Sequence, residues 1–405
     1  MSRVQAPAAV LALVESTVVK GILFDAIDDP AFRARIARAL SNGEHLPGEG
    51  ASLHSERVAR SGPRLSGASH VVGGEQSNSS ISFGESAIFK LFRRLVGGES
   101  PDVEISRYLT AHTSFRHTPE LYAVLVVDHD GQRAVAGMLS RLVAGAMDGW
   151  AHALARARAY THSDHDVRHD PFEAEAQQLG AITAELHRAL AQPTDDPAFA
   201  TRDATAADVA RWSSGARRSV EQGFELLERL APKLDARSRP LALAIAGRRA
   251  EAFEKLGTII TSLGGAAAAG ILSRHHGDYH LGQVLRTETD WMIIDFEGEP
   301  ARPLAERRAL NSPARDVAGM LRSFAYAAAT AASHDVADRE RAGQWEAMAR
   351  SAFLRGYGNS SAPAMVALFE LEKLFYELAY ELNNRPTWVW IPLIGIEKML
   401  ASSVV

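Results

Sequence analysis

Two aspartates, Asp278 and Asp295, are the residues of this 405-residue chain whose types and spacing best suit chemistry. Asp278 lies in a polar, histidine-rich stretch, residues 275–283, and Asp295 ends a short apolar run that starts at residue 291. Turn-forming residues at 287–290 predict a hairpin that returns the second carboxylate beside the first. One carboxylate can then orient a hydroxyl nucleophile while the other holds a divalent cation. Phosphoryl transfer requires this division of labour.

Lys90 is a candidate for the positive charge that such a reaction needs. Residues 81–92 predict a hairpin, and on its second strand Lys90 shares one face with Ile88 and Phe92 because side chains alternate. A lysine between apolar neighbours is costly unless its ammonium finds an anion, and kinase-like folds place such a lysine against the phosphates of ATP. The alternative is an edge-strand lysine that reaches solvent. The polar loop before the hairpin could cradle phosphate, through Gln76, Ser77, Asn78, Ser79 and Ser80.

A helix is predicted to begin after Ser100, which suits the N-cap, with Pro101 at the first helical position. Asp102 then favours the positive end of the helix dipole. Glu104 follows one turn into the helix, and in a kinase-like lobe a glutamate so placed would pair with Lys90. The alternative is a solvated glutamate on the helix surface.

A magnesium site is predicted where the hairpin returns to the polar loop. Gln283 offers a neutral oxygen ligand and Asp295 an anionic one, which together with ATP phosphates are the ligands that Mg²⁺ prefers. The His- and Asp-rich residues 162–170 are instead interpreted as a hydrated loop, since their spacing matches no helical or zinc pattern.

Several further elements must position these residues. Apolar runs at 121–127 and 134–142 predict a second hairpin, which closes a small sheet. Residues 143–150 predict a hinge between two lobes, where backbone groups such as those of Val143 could contact an adenine edge. Periodic apolar residues predict helices at 8–14, 30–40, 151–160, 172–190, 206–230, 240–263 and 370–382.

Composition narrows the class of protein. Apolar residues make up 46% and charged residues 23%, the net charge is −5, and no Lys/Arg-rich run occurs, which argues against nucleic acid or an anionic membrane as a partner. Cysteine is absent, so disulfides and thiolate metal sites are excluded. With no signal sequence or long apolar segment evident, a cytoplasmic enzyme or binding protein is expected. The length predicts two or three domains, and we take residues 1–70 as a small appended subdomain.

The segment from His276 to Gln283 resembles the catalytic loop of the aminoglycoside-phosphotransferase and eukaryotic-like kinase superfamily, and residues 295–300 resemble its metal-binding segment. More closely, the sequence resembles the actinobacterial maltokinases and the related glucosamine kinases, over roughly residues 70–400. The segments that carry this closer resemblance are 74–80, 90–94, 148–150 and 384–388. Taken together these motifs are highly specific.

The resemblance implies an α+β, two-lobed protein-kinase-like fold. It has an N-terminal cap at residues 1–70, a small β-rich nucleotide-binding N-lobe at 71–145 and a mostly helical C-lobe at 146–405. The resemblance makes Asp278 the catalytic base, Gln283 and Asp295 the magnesium ligands, Lys90 the nucleotide lysine and Glu104 its partner. Mg²⁺, as two ions with ATP, is the implied cofactor. Many superfamily members have Asn in place of Gln283, but the maltokinase-like group shares the glutamine.

The acceptor is expected beside Asp278, in a wall that carries several acids. The candidate contacts are Asp278, His280, Glu297, Glu299, Asp316, Glu377, Glu381 and Trp388. Carboxylates suit sugar hydroxyls and also an ammonium group, and a tryptophan face suits sugar C–H groups. The alternative is that these acids pair with nearby arginines, Arg302, Arg315, Arg322 and Arg385, and merely hold the lobe together.

The overall resemblance favours a glucosamine kinase, which forms glucosamine 6-phosphate from ATP, and the acid-rich wall agrees because it suits a cationic sugar. A maltokinase, which forms maltose 1-phosphate, is the close alternative. A regulatory pseudokinase would lack at least one of Lys90, Asp278, Gln283 or Asp295, and all four are present. A monomer or weak dimer that binds ATP and a small sugar is expected.

Overall fold

A computed structural model describes residues 10–18, 20–65, 68–73, 78–162, 170–332, 336–358 and 363–402 of the chain. The chain divides into two compact units, residues 1–146 and 147–405, which we call unit 1 and unit 2. Each unit is described by itself. The predicted division into a cap and two lobes remains a prediction.

Unit 1 is built mainly of strands. Its strands are β1 (Val10–Glu15), β2 (Lys20–Phe24), β3 (His45–Pro47), β4 (Ala51–Arg57), β5 (Ser69–Val72), β6 (Asn78–Phe83), β7 (Ala87–Phe92), β8 (Leu121–His129) and β9 (Gln132–Arg141). Its helices are α1 (Pro30–Asn42) and α2 (Pro101–His112).

A seven-stranded antiparallel sheet, in the order β3-β4-β8-β9-β7-β6-β5, forms the centre of unit 1. Both predicted hairpins are confirmed, as β6–β7 and β8–β9. Strands β3 and β4, from the segment predicted as a cap, belong to this same sheet.

The two faces of the sheet bury different side chains because successive residues of a strand point in opposite directions. On β8, Leu125 packs in the apolar cluster that contains Ile36 and Leu40 of α1, whereas Val124 packs with Val103 of α2. Helix α1 begins as its sequence predicts. Its N-cap Asp29 accepts a hydrogen bond from the Ala31 N–H at 2.8 Å.

The helix predicted at residues 8–14 is wrong, because β1 pairs there with β2 in a separate two-stranded hairpin. The β-branched Val10 and Val14 favour a strand, and the partner strand supplies the hydrogen bonds that local periodicity does not reveal.

Unit 2 is mainly helical. Its helices are α3 (Gly149–Thr161), α4 (Pro171–Leu190), α5 (Ala206–Leu230), α6 (Arg239–Ala246), α7 (Arg249–Ser262), α8 (Ala266–Ala269), α9 (Leu304–Arg307), α10 (Ala314–Ala331), α11 (Val336–Tyr357), α12 (Pro363–Asn384) and α13 (Trp390–Ala401). Its short strands are β10 (Met147–Asp148), β11 (Arg202–Asp203), β12 (Ile271–Leu272), β13 (Val284–Arg286) and β14 (Trp291–Ile293).

The hairpin predicted between the two aspartates is confirmed, since β13 pairs with β14 from Val284 opposite Ile293 to Arg286 opposite Trp291. The single helix predicted at 240–263 is instead two helices, α6 and α7. The break falls at Gly247, a residue that lowers helix stability. Within the described parts of the chain, we find no helix with the length and apolar character needed to cross a membrane.

Candidate active site

In unit 1, Lys90 lies on an internal strand, since β7 has β6 on one side and β9 on the other. The edge-strand alternative is therefore wrong. The Lys90 Nζ lies 2.9 Å from the Asp102 Oδ2, and the Asp102 side chain is 4% exposed. This partly buried lysine–carboxylate pair restricts the position of the ammonium group, which can then serve an anionic ligand.

Asp102 was assigned only to the helix dipole by its sequence position, and its contact with Lys90 was missed. It lies in the first turn of α2, two residues before the predicted partner Glu104. Pairing of Lys90 with Glu104 remains a prediction. The Ser100 backbone carbonyl accepts the Glu104 N–H at 2.9 Å, but the Ser100 hydroxyl makes no capping hydrogen bond.

Only some of the residues predicted to contact phosphate lie in the part of the chain that the structure describes. Gln76 and Ser77 lie outside the described residues. Asn78, Ser79 and Ser80 were predicted as part of a loop but instead form the first half of β6, because they pair with β7. Ser80 pairs with Lys90 across the two strands. The Ser79 hydroxyl accepts a hydrogen bond from Arg93 Nε at 2.6 Å.

Val143, the predicted adenine contact, lies in a turn at the end of unit 1. It is partly buried, and its carbonyl accepts a hydrogen bond from the Ala146 N–H at 3.4 Å. Its role toward a nucleotide remains a prediction.

In unit 2, Asp316 of α10 binds the backbone of the loop that carries Asp278. The two oxygens of this carboxylate accept the backbone N–H groups of His276, at 2.7 Å, and of Gly277, at 2.9 Å. The His187 Nε2 lies 3.1 Å from the same carboxylate. Gly277 has φ +85°, a conformation that favours glycine.

Asp316 is 1% exposed, so the position predicted as a sugar contact is filled by the protein's own donors. Burial raises the pKa of Asp316, but the hydrogen bond from His187 and the charges of nearby histidines outweigh it and leave the pKa well below its usual range. We therefore assign Asp316 to positioning the loop and do not carry it forward as a sugar contact.

Two features join this loop to the segment that ends in Asp295. The His276 Nε2 donates to the Ile294 carbonyl at 2.9 Å, and its Nδ1 accepts the Asp278 N–H at 3.4 Å. The Gln283 carbonyl accepts the Ile294 N–H at 3.0 Å. The two predicted magnesium ligands therefore lie on hydrogen-bonded neighbouring segments.

The donors around Asp295 fit a magnesium ion. One of its carboxylate oxygens lies within 4.8 Å of a carboxylate oxygen of Glu297. Two carboxylates so close repel each other, and a divalent cation relieves that repulsion. Asp295 also has φ +67°, a strained conformation for a non-glycine residue that is typical of functional sites. The oxygen donors are thus of the kind that Mg²⁺ requires.

Asp278 itself faces a lysine that sequence reasoning missed. The Lys373 Nζ, from α12, lies 3.5 Å from the Asp278 Oδ1 and 3.8 Å from the Glu299 Oε1. The His280 Nε2 lies 4.0 Å from the other Asp278 oxygen. Burial lowers the pKa of His280, which favours its neutral form. The i,i+4 spacing of Lys373 and the predicted Glu377 on one helix was the available sequence signal.

A polar cavity opens beside Asp278. Its lining includes Glu299, Arg302, Glu372, Lys373 and Tyr376. Burial raises the pKa of Glu299, but Lys373 and Arg302 outweigh it and lower the pKa below its usual range. Glu299 is therefore an ionised carboxylate at the edge of this cavity.

Most of the predicted acidic wall forms ion pairs, as the alternative interpretation expected. The Glu299 Oε2 lies 2.6 Å from the Arg302 Nε. Glu377 accepts two hydrogen bonds from Arg322, at 2.7 and 2.9 Å. Glu377 and Arg322 are both buried, so this pair holds α12 against α10.

Glu381 is 1% exposed and lies 2.5 Å from the Arg385 NH2. The Arg385 guanidinium also stacks over the rings of Tyr380 and Trp388, at 5.3 and 5.1 Å. Because Glu377 and Glu381 are buried and paired, we do not carry them forward as sugar contacts. Contacts of His280, Glu297, Glu299 and Trp388 with a sugar remain predictions.

Comparisons with known proteins identify relatives of this chain. No protein-family model matches the chain. A glucosamine kinase of Streptacidiphilus jiangxiensis is 30% identical over 339 residues, which cover 80% of this chain and 72% of that protein. A glucosamine kinase of Mycolicibacterium smegmatis is 28% identical over 356 residues, which cover 83% and 82% of the two chains.

A solved structure, "Glucosamine kinase in complex with glucosamine, ADP and inorganic phosphate", superposes with a TM-score of 0.69 at 24% identity, covering 96% of this chain and 87% of that one. This likeness confirms the predicted kinase-like fold class. The identity and coverage of the Streptacidiphilus relative establish the family that the motifs predicted. The chain belongs to the glucosamine kinase family.

Proposed function

We propose that this chain is an ATP-dependent kinase that transfers the γ-phosphate of ATP to the 6-hydroxyl of D-glucosamine and forms glucosamine 6-phosphate. The observation that carries the proposal is Asp278, held at the edge of a polar cavity by a loop that Asp316 fixes from beneath. Glu299 at the same cavity supports an amino sugar as the acceptor, because an ionised carboxylate attracts an ammonium group.

In this proposal Asp278 accepts a hydrogen bond from the acceptor hydroxyl, orients it toward the γ-phosphate and takes its proton late in the transfer. The hydroxyl oxygen forms the new P–O bond as the bond between the γ-phosphorus and the β–γ bridging oxygen breaks, and ADP leaves. Lys90, fixed by Asp102, offers positive charge to the phosphates.

Gln283 and Asp295 would hold magnesium, with Glu297 as a further oxygen donor, and we propose two ions with ATP. The metal, when bound, supplies positive charge that neutralises the transferring phosphoryl group. We propose a monomer or weak dimer in the cytoplasm, where ATP is available. Size-exclusion chromatography with light scattering measures the oligomeric state.

The test of the activity is ADP release coupled to an optical readout, with glucosamine and maltose offered side by side. Glucosamine is expected to be turned over faster. Faster turnover of maltose would make the chain a maltokinase instead. No turnover of either sugar, with Mg-ATP bound, would favour a pseudokinase.

The base is tested with Asp278→Asn, which keeps the size of the side chain but removes its charge. Transfer should fall by at least about a hundredfold, the low end for loss of general-base catalysis. Mg-ATP affinity, measured by calorimetry, should stay nearly unchanged. Asp195→Asn removes an exposed charge in the same unit and serves as the matched control. Unchanged turnover in Asp278→Asn would reject the assignment.

A further inference from the structure

Two adjoining cavities in unit 1 form a groove along α1, on the sheet face that this helix covers. The first has a volume of about 600 Å³ and the second about 370 Å³, and both are lined by Ser41 and Leu65. We call them together the arginine groove, because Arg33 and Arg38 line the first cavity and Arg57 and Arg64 line the second. Volumes of this size are typical of sites for small ligands.

The described charged side chains that line the groove are all basic. Among the described residues, none of those lining either cavity is an aspartate or a glutamate. The whole chain carries a net charge of −5. A groove lined by four arginines and no acid therefore differs in charge from the protein as a whole. By contrast, Arg35 on the same helix lies outside the groove and pairs with Glu44 at 2.7 Å.

Arg33 is the clearest sign of a built site, because it is only 9% exposed. Its Nε donates to the Ser69 hydroxyl at 2.9 Å, and its NH1 donates to the Ile27 carbonyl at 2.8 Å. Both acceptors are neutral. A guanidinium has five N–H donors, so these two bonds fix its orientation while leaving donors and a full positive charge in the cavity wall. A buried charge of this kind is costly unless an anion accompanies it.

Apolar side chains complete the groove. Phe83 and Leu65 line the first cavity, and Tyr122 and Leu139 line the second. A ligand that fits must therefore combine an anionic group with a compact organic body. Among biological anions, phosphate matches the planar donor fork of arginine and accepts paired hydrogen bonds from it.

We propose that the arginine groove binds a small organic phosphate, a phosphate monoester, with its phosphoryl group on the arginines and its body against the apolar side chains. The bound ester would link α1 to the sheet and stabilise unit 1 by mass action. The groove is built from unit 1 alone. The proposal does not rest on the function proposed above, and only the blocked active site and the activity control in its test do.

The test is isothermal titration calorimetry on the full chain with the active site kept occupied by saturating Mg-ADP and glucosamine. Glycerol 3-phosphate, inorganic phosphate and glycerol are titrated in turn. We expect saturable binding of glycerol 3-phosphate with a Kd of about 1 mM or tighter, weaker binding of phosphate, and none of glycerol. The Kd should rise with salt because the attraction is between charges. Absence of saturable binding of the ester would overturn the proposal, and equal binding of phosphate and ester would overturn the role of the apolar wall.

Arginine variants test whether glycerol 3-phosphate binds at the arginine groove. Arg38 and Arg64 are exposed, so the double variant Arg38→Gln/Arg64→Gln should fold normally and weaken glycerol 3-phosphate binding at least about tenfold, as expected for lost charge-assisted hydrogen bonds. Its kcat and KM for glucosamine should match those of the wild type. Arg35→Gln removes the same charge from the same helix outside the groove and should leave the Kd unchanged. Equal loss of binding in Arg35→Gln, or none in the double variant, would show that the groove is not the site.

Discussion

Lys373 gives the sharpest prediction about the proposed acceptor site, because its ammonium would compete there with the ammonium of an amino sugar. It is 3.5 Å from Asp278 and 3.8 Å from Glu299, which are the carboxylates that the proposed acceptor would face. The perturbation is Lys373→Met, which keeps the length and the apolar stem of the side chain but removes its charge. Lys373→Arg keeps the charge and serves as the matched control.

The magnitude follows from distance and exposure. At separations near 4 Å, one ion pair is worth about 4 kcal/mol at an effective dielectric of 20 but only about 1 kcal/mol in bulk water. The Lys373 side chain is 32% exposed, so solvent screens the pair strongly and we take the lower value. A change of about 1 kcal/mol corresponds to roughly a fivefold change in binding.

The assay is steady-state ADP release with glucosamine and with glucose, a neutral sugar of the same ring. Lys373→Met should lower the KM for glucosamine about fivefold at low salt, because Glu299 loses a competing cation. The KM for glucose should not fall, and Lys373→Arg should behave as the wild type. A rise in KM for both sugars would refute the reasoning, since it would mean that Lys373 binds the sugar directly.

Three further predictions concern buried groups of unit 2. Asp316→Asn should lower the free energy of unfolding by about 3 kcal/mol at pH 7, because the loop N–H groups and His187 lose a charged acceptor. The pKa of Asp316 is lower in the folded than in the unfolded state, so the stability difference between variant and wild type should persist down to about pH 4 and shrink below that pH. Urea unfolding at a series of pH values measures this difference. A difference that grows on acidification would contradict the assignment. His275 is fully buried, and burial lowers its pKa to about 4, so the unfolded chain takes up the proton first and wild-type stability should fall as the pH drops from about 6.5 toward 4. His275→Gln should flatten that slope in the same titration, whatever its stability at pH 7, and an unchanged slope would place the titrating group elsewhere. Glu377→Gln should cost about 3 kcal/mol because it leaves the Arg322 charge buried and unpaired, and thermal unfolding should show it as a lowered Tm; an unaltered Tm would reopen Glu377 as an accessible sugar contact.

Local sequence patterns predicted the elements that carry the candidate site. The β13–β14 hairpin between Asp278 and Asp295, the strand with Lys90 and the helix after Ser100 follow from alternation, turn residues and N-terminal signals, all of which act over a few residues. The helix wrongly predicted at residues 8–14 failed because its strand partner is not part of that local pattern.

Side-chain partners were harder to predict, because they depend on distances in the folded chain. Asp316 reaches the loop at Gly277 from 39 residues further along the sequence, and no spacing rule identifies such a contact. Lys373 approaches Asp278 from α12 for the same reason. Asp102 contacts Lys90 from the first turn of α2, and the sequence alone does not specify which acid of that turn lies within reach of the ammonium.

The anchoring of the loop has a consequence for how acceptor choice can change. Asp316 binds the backbone N–H groups of His276 and Gly277. The shape of the loop therefore depends on a buried residue of α10 and not on which sugar is bound. Replacements at the edge of the cavity, such as at Glu299, can therefore change which alcohol is phosphorylated while the loop that carries Asp278 keeps its shape. Substrate specificity in these enzymes can therefore change during evolution without changes to the catalytic loop.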